Sequence, residues 1–181
     1  MRVKTLNPEV LVADEPIVQV SRPDVEFLKV SAVQNERKRI RLCAHPDVDD
    51  RLHEMLIVHA KETYVRPHKH LNKTESVHII EGLVDVIVFD ETGNICEVIR
   101  MADYASGHRF YYRMSSPYYH TLLIRSDVLV FHETTNGPFV RTDTVFAPWS
   151  PEKSDSAAVK EYMEQMARVV ASFLSLREEH A

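Results

Sequence analysis

Glycine is scarce in this 181-residue chain, at 4 residues, cysteine is scarcer, at 2, and tryptophan occurs once. Each shortage excludes something. Cys43 and Cys96 each stand alone in an apolar stretch, which excludes a disulfide-rich framework and any CxxC redox or zinc motif. Both thiols are expected as small core residues of a reduced, cytoplasmic protein. With so few glycines, several turns must be made by Asn, Asp, Ser and Pro. Long apolar runs are also missing. None approaches the roughly 20 residues that span a bilayer, and the N-terminal MRVKTLNPEVLVADEP lacks the apolar core of a signal peptide. A membrane partner is not expected. A basic excess is absent too. The net charge is −5, whereas nonspecific nucleic-acid binders carry a positive surplus. The one local exception, Arg37, Lys38, Arg39 and Arg41, reads as a solvated turn or helix end. No GxSxG elbow and no GxxxxGKS phosphate loop occurs.

What the chain does contain is a succession of short β-like runs. From His53 onward, strands are expected over 54–60, 63–68, 76–81, 83–90, 95–100, 109–114, 120–125 and 128–135. Their turns are marked by Glu91-Thr-Gly-Asn94, Ser106-Gly-His108, Arg125-Ser-Asp127 and Asn136-Gly-Pro138. Many short strands without intervening helices argue for an antiparallel sandwich or barrel. Ahead of them, 10–12 and 17–20 read as edge strands or an arm, 23–37 as a short helix and 40–44 as a strand. After Phe146-Ala-Pro-Trp149, a helix capped by Ser154-Asp155-Ser156 is expected to run to about Arg177. Its apolar stripe suits packing on the barrel exterior or on the partner of a homodimer. Three segments follow: an N-terminal arm over 1–36, a β-barrel over 37–150 and a C-terminal helical segment over 151–181.

One stretch concentrates chemistry. YVRPHKHLNKTESVHIIEG, residues 64–82, places His68 and His70 two apart, Glu75 five residues later and Gly82 after an apolar run. Residues two apart on a strand point to one side, so both imidazoles can aim at one point. Glu75 and a downstream histidine, His120 in SSPYYHT, can complete a set of three imidazoles and one carboxylate. That set suits a divalent first-row metal. One such ion per chain is expected, whether zinc, iron, nickel or manganese.

The same residues carry a resemblance. HKHLNKTESVHIIEG resembles the first cupin motif: His-x-His, four residues, Glu, six residues, Gly. SSPYYH is similar to a degraded second cupin motif, Pro-x-Gly-x-x-His. YVRPHKH, Lys-Thr-Glu-Ser, His-Glu-Thr-Thr-Asn-Gly-Pro-Phe and Phe-Ala-Pro-Trp-Ser-Pro-Glu further resemble WbuC-type cupin metalloproteins, which are encoded with surface-polysaccharide genes. The resemblance covers roughly residues 37–153. It implies a mainly β protein, the jelly-roll barrel called the double-stranded β-helix, with a short N-terminal helical segment and a C-terminal α-helix. His68, His70, Glu75 and His120 match its metal-ligand positions. Two residues depart from the pattern. Glu62 stands where a glycine usually precedes the first His, and Ser115-Ser116-Pro117 replaces Pro-x-Gly.

If His68 and His70 face the lumen, alternation turns Tyr64 and Arg66 the same way. Arg66 is then a candidate clamp for a carboxylate or phosphate, or the partner of a nearby acid. Tyr64 and Tyr119 are candidate substrate contacts, since tyrosine offers a flat face and a hydroxyl. Of His132 and Glu133 only one can face inward, and Glu133 is the expected one. Glu133 and Tyr112 are the candidate proton-transfer groups. The function expected is metal-dependent isomerisation or epimerisation of a small polar molecule, such as a sugar or nucleotide-sugar in polysaccharide synthesis. An iron-dependent dioxygenase and a non-catalytic ligand-binding sensor are the alternatives.

Overall fold

The computed structural model describes residues 1–178. In chain order its elements are β1 (Val3–Asn7), β2 (Val10–Ala13), α1 (Arg22–Gln34), β3 (Arg39–Cys43), β4 (Leu52–Ala60), β5 (His68–His70), β6 (Glu75–Glu81), β7 (Leu83–Phe89), β8 (Ile95–Ala102), β9 (Tyr111–Met114), β10 (Tyr119–Ile124), β11 (Val128–Asn136), β12 (Thr144–Phe146) and α2 (Ser156–Glu178). The last three residues of the expected 151–181 segment lie outside the described residues. The strands form two sheets, ordered β1-β2-β3-β4-β11-β6-β9 and β12-β5-β10-β7-β8. Pairing is antiparallel except where β2 joins β3. This is the jelly-roll, double-stranded β-helix architecture. No described helix is long and apolar enough to cross a membrane.

Period-two alternation divides the side chains into three layers of apolar contact. On β4, Met55 and Ile57 point between the sheets, where they meet Val77, Ile79, Val84, Val86, Leu122, Ile124 and Phe131. The intervening Leu56 and Val58 point outward and pack with Ile40, Leu42 and Val130 beneath Leu28 and Ala32 of α1. On the other sheet, Ile87, Phe89, Val98 and Leu123 pack outward against Met166 and Val170 of α2. Each sheet therefore has one face on the lumen and one under a helix. The start of α1 is held by the Ser21 amide donating to the Asp24 carboxylate at 2.8 Å, with Pro23 in the first turn, where a missing N–H costs nothing. The start of α2 is held by Asp155, whose carboxylate accepts from the Ala158 amide at 3.0 Å.

Some elements differ from expectation for identifiable reasons. β1 escapes the sequence pattern because its residues are mostly exposed and carry no apolar alternation. The 17–20 run is not a strand, and Ile17 is 71% exposed. The expected strand over 63–68 does not form. Pro67 has no N–H for a ladder, and Thr63 is tied to the Lys38 carbonyl at 2.6 Å, so pairing begins only at His68. Cys43 is buried, but Cys96 is exposed on β8 rather than in the core: the register shifts there, with Val88 opposite Glu97 and Phe89 opposite Ile95, so Cys96 is the extra residue of a bulge.

Gly82 illustrates a motif residue retained for backbone reasons. Its φ is +97°, and an added Cβ would sit 2.6 Å from Ser126 Oγ and also against the Val128 carbonyl. Gly82→Ala is expected to lower unfolding free energy by about 1–3 kcal/mol, measured by urea titration. An unchanged midpoint would show that the turn between β6 and β7 relaxes freely.

Candidate metal centre

The site is assembled where the short β5 meets β10. His120 lies directly opposite His68 in register, and His70 follows two residues along β5 on the same face. The three rings converge, with centroid separations of 5.0 Å for His68–His70, 4.6 Å for His68–His120 and 5.8 Å for His70–His120. One ring nitrogen from each lies within 4.8 Å of the other two. Glu75, at the start of β6, reaches the group from the opposite sheet. Its carboxylate oxygens stand 3.3 Å from His120 Nε2 and 3.6 Å from His70 Nε2. The Tyr112 hydroxyl on β9 donates to Glu75 at 2.7 Å and so orients the carboxylate.

The other ring nitrogens are engaged. Nδ1 of His68 meets the Arg66 carbonyl at 2.8 Å, and Nδ1 of His120 meets the Tyr118 carbonyl at 3.0 Å. A carbonyl only accepts, so in the neutral imidazole Nδ1 carries the proton and Nε2 keeps its lone pair. Nδ1 of His70 meets the Thr144 hydroxyl at 3.1 Å. Such partners orient metal-binding histidines. Three imidazoles with Nε2 available and an adjacent carboxylate fit a divalent first-row metal.

Burial and mutual charge set the protonation of the group. Burial pushes the His68 imidazolium down to about 3. At His120 burial also acts downward, but the Glu75 carboxylate overcomes it and the net direction is up. Burial alone would raise Glu75, yet His120, Tyr112 and His70 hold it well below the usual carboxylate range. Burial and the Glu75 charge raise the Tyr112 phenol. Glu133 lies on β11 opposite Met55 and Val77, both lumen residues. Desolvation and then the charge of Glu75 push it up to about 7, against the opposing pull of Arg41, His120 and Lys73. His132, its neighbour, points the other way into a cavity of about 790 Å³ between α1 and the outer sheet face. That cavity is on the far side of the sheet from the three histidines.

Three candidate substrate contacts are not brought to the lumen. Arg66 donates to Ser150 Oγ at 3.1 Å and to the Ser150 carbonyl at 3.3 Å. Tyr64 donates to the Pro151 carbonyl at 3.0 Å and packs edge-on against Tyr162 of α2. Both sit before β5, outside any strand, so alternation from His68 does not reach them. Tyr119 is one residue from His120 and therefore faces the opposite side, in the cluster with Trp149 and Met166. Conversely, Lys73 was missed, although it stands inside the motif. Its ammonium lies over the Phe139 ring at 4.8 Å, and Glu133, Asp143 and Glu75 are the acids that act on it. Thr135 and His53 share the rung of Glu75, and His53 Nε2 and Thr135 Oγ1 are buried without protein partners among the described residues. No sequence pattern marks a cross-strand rung of this kind.

The family model for a domain of unknown function (DUF6016) matches residues 20–101. No curated protein matches the chain in sequence. Among solved structures, a protein of Shewanella oneidensis is similar with a TM-score of 0.50 and 9% identity, covering 62% of this chain and 76% of that one. CapF, a capsular polysaccharide assembling protein of Staphylococcus aureus, gives 0.45 and 18% over 54% of this chain and 27% of its own. Oxalate decarboxylase of Bacillus subtilis gives 0.44 and 16% over 55% of this chain and 24% of its own. The present chain thus spans about a quarter of each of the latter two. The fold is the cupin-like jelly roll, and over residues 20–101 the chain is similar to DUF6016.

Proposed function

We propose that this chain is a WbuC-type metal-binding cupin that isomerises or epimerises a small polar substrate, a sugar or nucleotide-sugar of surface-polysaccharide synthesis. The observation that carries the reading is the convergence of three imidazoles beside a buried carboxylate, with a second carboxylate tuned for proton exchange nearby. His68, His70, His120 and Glu75 would hold the ion, which when bound would supply Lewis-acid polarisation of a substrate oxygen.

The rest follows from the chain's own side chains. Glu133, with a carboxyl pushed up to about 7, can both accept and return a proton near neutrality, as a general acid–base group requires. Tyr112 keeps Glu75 aimed at the imidazoles. Lys73 offers a positive charge on the side of Glu133 and Glu75. Val77, Ile79, Leu122 and Ile124 close the lumen behind the site and exclude water.

The test is solvent deuterium exchange into a panel of nucleotide-sugars by metal-loaded protein, read by NMR. Incorporation at one sugar carbon is expected, and Glu133→Gln should slow it about 10²–10⁴-fold. Oxygen uptake without deuterium incorporation would replace the reading with an oxygenase.

A further inference from the structure

Of the basic run at 37–41, Arg37 and Lys38 lie in the turn before β3, but Arg39 and Arg41 belong to the strand and are partly buried. Alternation on β3 turns Arg39, Arg41 and Cys43 to the same side, with Cys43 in the lumen core, while Ile40 and Leu42 pack under α1. Arg39 is directly opposite His59 of β4 in register, and Arg41 is opposite Ile57. The Arg39 side chain is only 17% exposed. Glu9 is shared by Arg37 and Arg39, with Arg39 Nε at 2.9 Å. Arg41 has no carboxylate within 4.0 Å among the described residues; its side chain reaches the Met55 sulfur at 3.9 Å, and Glu133, opposite Met55 in register, is an acid on which it acts.

Two further groups complete the cluster. His59 is 8% exposed, and its Nδ1 is buried with no protein partner among the described residues. A buried ring nitrogen in that state is uncommon and asks for a ligand or water. Arg39, Arg41 and Lys153 are the cations nearest to it in effect. Lys153 comes from the segment between Trp149 and α2, and Arg39, Arg37 and Arg41 all press on its ammonium while Glu9 relieves it. Glu9 is the acid that faces Arg37, Arg39 and Lys153 here, and Glu133 acts on Arg41 from further along the lumen. Desolvation and these charges push Lys153 down to about 8 and His59 down to about 3, so at neutral pH the imidazole is neutral and can donate an N–H. His59 itself lies at the far end of β4 from the metal centre. His53 shares the rung of Glu75, and His59 is six residues further along β4, roughly 20 Å at strand rise.

We propose that Arg39, Arg41, Lys153 and the Nδ1 of His59 form a second binding site, for a phosphate group, at the end of β4 opposite the metal centre. A guanidinium fork matches phosphate oxygens in pairs, and the surplus of positive charge suits a dianion. The inference does not rest on the proposed isomerase chemistry.

The test is titration of the metal-loaded full chain with inorganic phosphate, followed by 31P NMR and calorimetry. Saturable binding of one phosphate per chain is expected. Lys153→Ala and Arg41→Gln should each weaken it about tenfold or more, while His70→Ala should leave it unchanged. Lys153 is solvent-accessible, so its alanine variant decides the matter should Arg41→Gln fail to fold. A nucleoside monophosphate and a sugar 1-phosphate, each competed against phosphate, separate a free ion from a phosphate carried on a larger ligand. Absence of saturable binding overturns the proposal. So does binding that survives Lys153→Ala but disappears with His70→Ala, which would place the phosphate at the metal.

Discussion

His70→Ala is expected to remove most of the bound metal, while His78→Ala leaves it nearly unchanged. Both histidines lie in one motif, eight positions apart in the sequence, but they serve opposite faces. His70 Nε2 points at Glu75 at 3.6 Å and its ring lies 5.8 Å from that of His120. His78 is on the exposed side of β6, beside Phe110 at 5.5 Å between ring centroids. Removing one of three imidazoles leaves too few nitrogen donors for a tight first-row site. Thr144→Ala should fall between the two. It deletes the hydroxyl at 3.1 Å that orients His70, and loss of such a supporting partner weakens metal binding by about 10–100-fold. Metal content after dialysis against a graded chelator series measures all three. Equal content in the His70 and His78 variants would sink the assignment of faces.

Asp85→Ala is expected to have the largest effect on stability, about 3–5 kcal/mol. Asp85 is fully buried on β7. Arg100 Nε lies 2.9 Å from one carboxylate oxygen and Arg125 Nε 2.7 Å from the other. Removing the carboxylate leaves two guanidinium groups crowded together at a partly covered position, with side-chain exposures of 38% and 27%. Their remaining access to water softens the penalty without abolishing it. A fall in Tm of roughly 6–20 °C follows for a chain of this size. The Lys4–Asp14 pair is just as short, at 2.7 Å, but its side chains are 67% and 46% exposed. Lys4→Ala should therefore barely move the Tm. Calorimetry of both variants makes the comparison, and a small effect at Asp85 would mean that solvent reaches the cluster after all.

Much of the β architecture was legible because burial on one face writes a period of two into the sequence. The runs at 54–60, 76–81, 83–90 and 128–135 all became strands within a residue or two of those limits. The pairing of His68 with His70 follows from the same rule. The rule fails where hydrogen bonding rather than burial decides the backbone. β1 forms a strand although its side chains are exposed, and Thr63 to Pro67 stays out of the ladder despite its valine and tyrosine. Tyr119 shows the rule applied incompletely. Once His120 faces the lumen, its neighbour cannot.

By itself, the sequence determined which residues share a face and which do not: His68 with His70, and Glu133 opposite to His132. That information is local, since it depends only on the pleat of a single strand. Tertiary structure alone decided what each face meets. Strand register set His120 opposite His68 and brought Tyr112 to Glu75, while packing of the segment before β5 turned Arg66 away to Ser150. It also gathered Glu9, His59 and Lys153 around a basic run that looked merely solvated. Those contacts join residues distant in the chain, and their energies depend on separation and burial, which no spacing in the sequence encodes.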